Sequence, residues 1–214
     1  MNIRKRIFFM AIFLTATVQT LAGTMISTAT TLGGYNTKYY CQELSYRPSA
    51  NRNWREPILK ELTEQKYPLL FQSDLSKGAA VDLIKYCPNY PQLSEYNKKI
   101  ILLRLLDGMV FFESSCSPTA KAKGPNGTAY GVLQLHYGRE QDYARNCRRY
   151  DSKDPVKSMR CSLNMIQQQI ANYQRVFSSA SYWDVLRPNG QARKAYTIAS
   201  HLWYYPLCQI NKTP

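Results

Sequence analysis

The sequence predicts a mainly α-helical fold of the α+β class, in which a helical domain with a buried central helix carries a small β-hairpin. Three patterns in the 214 residues indicate this class. Residues 94–115 are apolar on nearly every face, residues 154–177 carry one apolar stripe, and Gly124-Pro125-Asn126-Gly127 is a strong turn signal between short strand-like segments. A helix that is apolar all round belongs inside a protein, whereas a striped helix packs on the core along one face.

Residues 1–22 are predicted to be a secretory signal peptide. Arg4-Lys5-Arg6 precedes a short apolar run, and Thr20-Leu21-Ala22 supplies small residues suited to a signal peptidase. A bilayer span needs about 20 apolar residues, so an uncleaved anchor that continues toward Leu32 is the weaker alternative. Residues 23–37 are rich in Thr, Ser, Ala and Gly and are predicted to be a flexible leader. The protein is therefore expected to be secreted or periplasmic, without membrane association after cleavage.

The charge and the cysteine content agree with export. The formal net charge is +14, and removing residues 1–22 takes away three basic residues and no acidic one, which leaves +11. All six cysteines follow the signal peptide, and an even number in an exported chain favours three disulfides among 15 possible pairings. Cys147 with Cys161 is the one pairing predicted. It would close a loop of about 15 residues, and such a disulfide stabilises the folded state by roughly 3 kcal/mol. Zinc is the weaker explanation of the cysteines, because the chain has only two histidines and no cysteine pair with ligand spacing. No metal is therefore expected.

Residues 38–92 are predicted to form a helical N-terminal extension. Apolar residues recur at helical spacing within residues 55–67. A second helix is expected to begin at a cap formed by Ser73 or Asp74 and to continue through Ile84. Together these helices would cover the domain formed by the rest of the chain.

The central helix is predicted between an N-cap at Ser94 and a break at Ser117-Pro118. Steps of four, three and four residues from Leu102 stay on apolar positions and then reach Glu113, so this glutamate continues a buried row. A carboxyl group among apolar side chains holds its proton near neutral pH, because charging it there forgoes hydration. A protonated carboxyl can act as a general acid on a glycosidic oxygen, which makes Glu113 the candidate catalytic residue.

A third helix is expected to begin at Asp154-Pro155, a cap followed by proline at the first helical position. Its apolar face alternates spacings of three and four residues and consists of Val156, Met159, Leu163, Ile166, Ile170, Tyr173 and Phe177. That stripe indicates a helix packed on the core. One or two shorter helices are expected in residues 181–204, with a break at Arg187-Pro188-Asn189-Gly190.

This order of parts resembles the lysozyme-like superfamily, and within it the lytic transglycosylases, with their SLT-type domain, and the goose-type lysozymes. The matching residues are Glu113-Ser114 at the end of an apolar helix, Ala120 and Gly127 in the following loop, and Tyr130-Gly131-Val132-Leu133-Gln134-Leu135. The last segment is similar to the family's Gly-Leu-Met-Gln element. Asp154-Pro155 before a long helix also agrees with the family.

The resemblance extends over about residues 95–208, so residues 93–214 are expected to be a lysozyme-like catalytic domain with the hairpin beside an active-site cleft. The family's frequent Ala-Tyr-Asn-x-Gly segment is absent, and Ala195-Tyr196-Thr197 is its nearest counterpart. This departure, with the cysteines, suggests a divergent secreted bacterial lysozyme.

The resemblance implies a peptidoglycan muramidase that uses no cofactor. Glu113 would protonate the oxygen between N-acetylmuramic acid and N-acetylglucosamine. The substrate-binding residues that it implies are Ser114, Tyr130, Gly131, Gln134 and Tyr196. Among them, Gly131 would let the backbone approach the glycan, Gln134 would form hydrogen bonds and Tyr130 would stack on a sugar.

A glycosidase with two catalytic carboxylates needs a second Asp or Glu, yet residues 114–139 contain none. In the transglycosylases of this family the muramic 6-hydroxyl attacks intramolecularly and leaves a 1,6-anhydro end, so one acid is sufficient. Hydrolysis would require a more distant carboxylate, such as Glu140, Asp142 or Asp154, or a loosely held water. The sequence leaves both reactions open.

Two functions of different classes remain. The first is an exported enzyme that cuts the β-1,4 bond of peptidoglycan, and the alternative is a catalytically inactive, secreted cationic protein that binds or inhibits at the cell wall. The basic run from Arg139 to Lys153 would favour an anionic wall in either case. Peptidoglycan glycan strands are the expected partner of a monomeric protein. Nucleic acid is not expected, because the chain is exported and has no nucleic-acid-binding motif.

Overall fold

The computed structural model describes residues 40–124 and 127–209. These residues form six α-helices and a three-stranded antiparallel sheet, which confirms the predicted mainly α, α+β class. The predicted signal peptide, residues 1–22, and the predicted leader, residues 23–37, lie outside the described residues. The elements are α1 (Arg55–Glu61), α2 (Pro68–Phe71), α3 (Val81–Tyr86), α4 (Glu95–Ser114), β1 (Lys121–Gly124), β2 (Gly127–Tyr130), β3 (Leu135–His136), α5 (Pro155–Tyr173) and α6 (Ala195–Trp203).

Helix α4 is the centre of the core. The hydroxyl of Ser94 accepts a hydrogen bond from the backbone N–H of Asn97 at 3.3 Å, as expected of the predicted cap. Every residue from Ile100 to Val110 is buried, so the helix is covered on all faces over about three turns. A Cβ atom at Gly108 would lie only 3.2 Å from Ile198 Cγ1, which shows how closely α6 packs against it. Such close packing holds the carboxyl end of α4 in one position.

The predicted N-terminal extension packs on the same core as the rest of the described chain. Buried side chains from α1, α2 and α3, among them Ile58, Leu70 and Leu83, belong to one apolar cluster with those of α4 and α5. The helix predicted over residues 55–67 is shorter than expected, because α1 ends at Glu61 and α2 starts separately at Pro68. Proline fits the first position of a helix but not its interior.

The helix predicted from Asp74 to Ile84 is also divided. The Asp74 carboxylate accepts a hydrogen bond from Ser76 N at 2.9 Å and caps only a short 3-10 turn. Gly78 then takes a left-handed conformation, with φ of 86°, and stops that turn. Helix α3 begins afresh at Val81.

Helix α5 begins where the sequence predicts. Asp154 Oδ1 accepts a hydrogen bond from Lys157 N at 2.9 Å. Four residues of the predicted stripe are fully buried: Met159, Leu163, Ile166 and Ile170. The stripe ends there, because Tyr173 is half exposed and Gln174, with φ of 49°, terminates the helix before Phe177.

The sheet extends the predicted hairpin by a third strand. Strands β1 and β2 pair with Lys121 opposite Tyr130 and with Ala122 opposite Ala129. Strand β3 adds to the other side of β2, where His136 faces Ala129. This third strand has only two residues, too few for the alternation by which strands are predicted.

The cysteines of the described chain form three disulfides. They are Cys41–Cys116, Cys87–Cys208 and Cys147–Cys161. The last is the predicted pairing, which is confirmed, and the first two attach the segment before α4 to later parts of the fold. Three disulfides fit the oxidising compartment to which export would lead. Within residues 40–124 and 127–209, no helix combines the length and the hydropathy needed to cross a bilayer.

Candidate functional site

A cavity of about 590 Å³ lies at the carboxyl end of α4. One side of it comes from the sheet and from the turn between β2 and β3, and the other side comes from residues 180–187. Its lining residues are Glu113, Ala122, Ala129, Gln134, His136, Tyr143, Ala180, Ser181, Tyr182, Trp183, Asp184 and Arg187. Concave sites with convergent polar groups among apolar ones are typical of ligand binding.

Glu113 is held at this cavity by the way α4 ends. It is half-buried and next to last in the helix, and Ser115 and Cys116 then both take left-handed conformations, with φ of 50° and 65°. The chain therefore turns sharply away from the helix axis. A disulfide ties Cys116 to Cys41, whose backbone N–H donates a 2.9 Å hydrogen bond to the buried Asp107 of α4. The helix end is thus secured both covalently and by a buried hydrogen bond.

The Glu113 carboxyl group keeps its proton to an unusually high pH. Burial raises its pKa from the ordinary 4.5 to about 7, and the negative charge of Asp184 raises it in the same direction. The carboxyl end of α4 also carries partial negative charge, which disfavours an anion there. Below about pH 7 the group is therefore a proton donor, in agreement with the raised pKa predicted from the apolar row.

Gln134 lies in the tight turn between β2 and β3, with φ of 46°. Its side-chain Nε2 donates hydrogen bonds to the carbonyl oxygens of Ala120 at 3.1 Å and Gly131 at 2.8 Å. Both bonds use the amide nitrogen, so the amide oxygen keeps its capacity to accept a hydrogen bond from a ligand. The predicted hydrogen-bonding role of Gln134 is compatible with this position in the lining.

Three aromatic rings connect the two sides of the cavity. The Tyr182 hydroxyl donates to the carbonyl of Gln134 at 3.2 Å and accepts from the backbone N–H of His136 at 2.9 Å. His136 Nδ1 also forms a hydrogen bond with the Tyr143 hydroxyl. The buried indole N–H of Trp183 donates to a backbone carbonyl of the β2–β3 turn at 2.9 Å. These bonds give the two sides a defined separation, so the site is formed before a ligand arrives.

Asp184 is the acidic residue of the lining that sequence reasoning missed. Its Oδ2 accepts a hydrogen bond from Ala192 N at 2.6 Å, and its Oδ1 lies 3.8 Å from Arg187 Nη1. A Cβ at Gly190 would come within 2.4 Å of the Asp184 carbonyl oxygen, so this turn needs glycine. The only sequence signal was an aspartate in an aromatic segment before a Pro-Asn-Gly turn, a pattern that is common in ordinary loops.

Replacing Asp184 with Asn is expected to lower the pKa of Glu113. The change removes the negative charge that opposes ionisation of the neighbouring carboxyl, while the amide oxygen can still accept the Ala192 N–H. Carbon-13 NMR titration of the side-chain carboxyls over about pH 4 to 9 would measure the shift. Asp142→Asn is the matched control, since Asp142 pairs with Arg139 and does not line the cavity. Equal Glu113 midpoints in wild type and Asp184→Asn would contradict the coupling.

A second cavity of about 200 Å³ continues from the first. The two share Tyr143, Ala180, Tyr182 and Trp183 in their linings. The remainder of the second lining is neutral and comes from the second half of α5: Met165, Gln168, Gln169, Asn172 and Tyr173. Amide and aromatic side chains together suit a neutral, hydroxyl-rich ligand.

Of the six residues predicted for the site, Glu113 and Gln134 line the cavity and the other four do not. The Ser114 hydroxyl donates to Val110 O within α4 at 2.9 Å, which is a helix-ending contact. Gly131 is buried against Ser152, whose carbonyl oxygen would lie 2.0 Å from an added Cβ, so its missing side chain serves packing.

Tyr130 lies on the opposite face of the hairpin from the cavity, and its ring contacts Tyr137 with centroids 5.4 Å apart. Side chains alternate between the two faces of a strand, and it is the adjacent Ala129 that lines the cavity. Tyr196 is near the start of α6 and is 76% exposed. Neither residue is among those that line the cavity, so their roles toward a sugar stay predictions.

Three solved structures share this fold, all of Bd0314 DslA, a Bdellovibrio protein. Two are glutamate-to-glutamine variants, with 21% sequence identity and a TM-score of 0.62. The wild-type structure has 22% identity and a TM-score of 0.61. Each match covers 75% of this chain and 93% or 94% of the DslA chain. No protein-family model matches the sequence, and no curated protein is significantly similar to it.

Proposed function

We propose that this protein is an exported enzyme that cleaves the β-1,4 bond between N-acetylmuramic acid and N-acetylglucosamine in peptidoglycan. The observation on which the proposal depends is the Glu113 carboxyl, whose pKa is raised to about 7 at the edge of a preformed cavity. With a pKa near 7, a substantial fraction of this group is protonated at neutral pH and can protonate the departing glycosidic oxygen. General acid catalysis is the chemistry that cleavage of this bond requires.

The lining of the cavity supports a sugar polymer as the ligand. The amide oxygen of Gln134 can accept a hydrogen bond from a hydroxyl or acetamido N–H group. The rings of Tyr143 and Tyr182 line both cavities, and neutral amides contribute to the rest of the second lining. A strand of linked sugars could occupy both cavities at once, with the bond to be cleaved beside Glu113.

Peptidoglycan is the proposed polymer on two grounds. The first is the resemblance of Glu113-Ser114 and the Tyr130 to Leu135 segment to the lysozyme-like superfamily. The second is the positive charge of the chain, +14 before removal of the predicted signal peptide. Peptide stems carry carboxylates, so a basic protein would meet such a wall faster than a neutral one.

Asp184 favours hydrolysis over formation of an anhydro end. Of the three more distant carboxylates considered from sequence, none lines the cavity. Glu140 is buried and accepts hydrogen bonds from Tyr150 N and Ser152 N, while Asp154 caps α5. Asp184 is the carboxylate that lines the cavity together with Glu113. In the proposed reaction Glu113 donates the proton and Asp184 activates the attacking water.

The products would test both parts of this proposal. Purified peptidoglycan is incubated with the protein, and the soluble fragments are analysed by mass spectrometry. Fragments with reducing N-acetylmuramic acid ends are expected. Fragments with 1,6-anhydro ends would support the proposed cleavage but contradict the proposed role of Asp184. The absence of fragments would leave the alternative, a cationic protein that binds the wall without turnover.

A further inference from the structure

The outer face of the hairpin differs chemically from the face that lines the cavity. Ala122 and Ala129 are paired partners that line the cavity. The neighbouring pair, Lys121 and Tyr130, must therefore project from the opposite face, because successive residues of a strand alternate. Whatever binds there does not occupy the cavity.

On that face, three tyrosine rings form a row. The centroids of Tyr130 and Tyr137 are 5.4 Å apart, and those of Tyr137 and Tyr150 are 5.0 Å apart. Tyr137 and Tyr150 are each 38% exposed. We name Tyr130, Tyr137 and Tyr150, with the cations that contact them, the tyrosine face.

Each ring of the tyrosine face has an exposed cation beside it. Lys121 Nζ lies 5.3 Å from the centroid of the Tyr130 ring. Lys153 Nζ lies 5.5 Å from that of Tyr137 and 5.2 Å from that of Tyr150. Arg149 Cζ is 4.8 Å from the Tyr150 centroid. A cation over an aromatic face is held in place by the ring, and its positive charge stays available to attract a ligand.

Backbone hydrogen bonding and packing hold the tyrosine face in a defined conformation. Tyr150 is held in a left-handed conformation, with φ of 70°, by the hydrogen bond from its backbone N–H to buried Glu140 at 2.9 Å. Its ring packs on Gly138, where an added Cβ would lie 3.2 Å from Tyr150 Cε1. A bulky residue in this conformation is strained by about 1–3 kcal/mol, and strain of that kind concentrates at binding sites.

Nearby acidic groups do not cancel the positive charge. Residues 114–139 contain no Asp or Glu. Glu140 is buried beneath the face, and Asp151 is buried with a carboxylate oxygen 2.7 Å from Arg148 N, which donates to it. Asp154 is turned to the start of α5 as its cap. The tyrosine face therefore presents one sign of charge among flat rings.

We infer that the tyrosine face is a second binding surface for a carboxylate-bearing polysaccharide, distinct from the cavity. Aromatic faces stack on the apolar faces of sugar rings, and the cations pair with carboxylates. The inference depends on the proposed function only for the identity of that polymer, which is then peptidoglycan with its stem carboxylates. Holding the polymer at one face raises its effective concentration at the cavity.

The test measures binding without turnover. The Glu113→Gln variant is pelleted with purified insoluble peptidoglycan, and the same variant carrying Tyr137→Ala and Tyr150→Asn is compared with it. Asn is chosen at position 150 because it tolerates the left-handed conformation. Loss of two stacking rings is expected to raise the Kd about tenfold or more. The matched control, Tyr96→Ala with Tyr204→Ala, removes two exposed rings elsewhere and should leave the Kd unchanged.

A second readout separates anchoring from catalysis. With Glu113 intact, the Tyr137→Ala, Tyr150→Asn variant should lose activity on insoluble peptidoglycan but cleave a short soluble glycan fragment at the wild-type rate. Thermal unfolding midpoints near wild type would show that the variant is folded. If the proposed enzymatic function failed, the pelleting result would still decide whether this surface binds the polymer.

Three outcomes would overturn the inference. One is equal pelleting of the double variant and its parent. Another is pelleting that does not weaken with added salt, since exposed cations are screened. The third is tighter binding to single-stranded DNA than to peptidoglycan with the same dependence on the tyrosines, because stacking with positive charge also suits single strands.

Discussion

Replacing Glu113 with Gln is expected to reduce the release of soluble fragments from purified peptidoglycan by about 100-fold or more, the usual contribution of a general acid. Glutamine has nearly the shape of glutamate but no proton to donate to the leaving oxygen. The cavity and its aromatic side should remain, because the hydrogen bonds of Tyr182 and Trp183 do not involve Glu113. Turbidity loss of a wall suspension and fragment analysis would measure the effect.

The control for this variant lies on the same helix. Glu95→Gln changes an exposed carboxylate in the first turn of α4, which pairs with Lys99. It should keep wild-type activity, because a surface ion pair contributes little and lies far along the helix from the cavity. Full activity of the Glu113→Gln variant would contradict the proposed mechanism.

The same substitution should change stability in a pH-dependent way. The folded-state pKa of Glu113, about 7, lies above the ordinary 4.5, so wild-type stability falls as pH rises between these values. Glutamine does not ionise, so above pH 7 the free energy of unfolding of the variant should exceed that of wild type by about 3 kcal/mol. Urea denaturation at acidic and alkaline pH would measure it. A difference that does not depend on pH would contradict the raised pKa.

Replacing Gly131 with Ala is expected to destabilise the fold by about 3 kcal/mol or more. Gly131 has φ of 78°, which costs any other residue strain, and an added Cβ would lie 2.0 Å from the carbonyl oxygen of Ser152. A backbone carbonyl cannot rotate out of the way as a flexible side chain can. Ser152 would have to move, together with the 150s loop that is bonded to buried Glu140.

Equilibrium urea unfolding of Gly131→Ala would measure this loss. Gly124→Ala is the matched control on the same hairpin, because the nearest atom to its added Cβ is 3.9 Å away. The control should change the unfolding free energy by less than about 1 kcal/mol. A loss in Gly131→Ala no larger than in the control would contradict the packing described for Ser152. Displacement of the loop should also disturb the tyrosine face, which contains Tyr150.

Local patterns were sufficient to predict several parts of the molecule. The caps at Ser94 and Asp154 are correct because each depends on one side chain and the first helical turn. The buried surroundings of Glu113 follow from its place in an apolar row with helical period. The Cys147–Cys161 pairing was accessible because a short loop brings these cysteines together.

Other parts could not be predicted from such patterns. The first predicted helix ends at Glu61 instead of residue 67, and the second is divided where Gly78 competes with a helical apolar spacing, a balance that sequence alone does not weigh. Tyr130 was predicted beside the substrate, but its face depends on the register with β1, where one residue of slip exchanges the two faces. Asp184 joins the cavity only because distant segments pack together.

The sequence by itself determined which helix is buried and that a carboxyl at its end resists ionisation, because both depend on residue type and a period of about 3.6 residues. Only the tertiary structure decided which groups line the cavity beside that carboxyl. The pairing of hairpin strands, the packing of residues 180–187 and two long-range disulfides, Cys41–Cys116 and Cys87–Cys208, bring together groups from distant parts of the chain. Such contacts depend on the summed packing of the whole core, which no local pattern encodes.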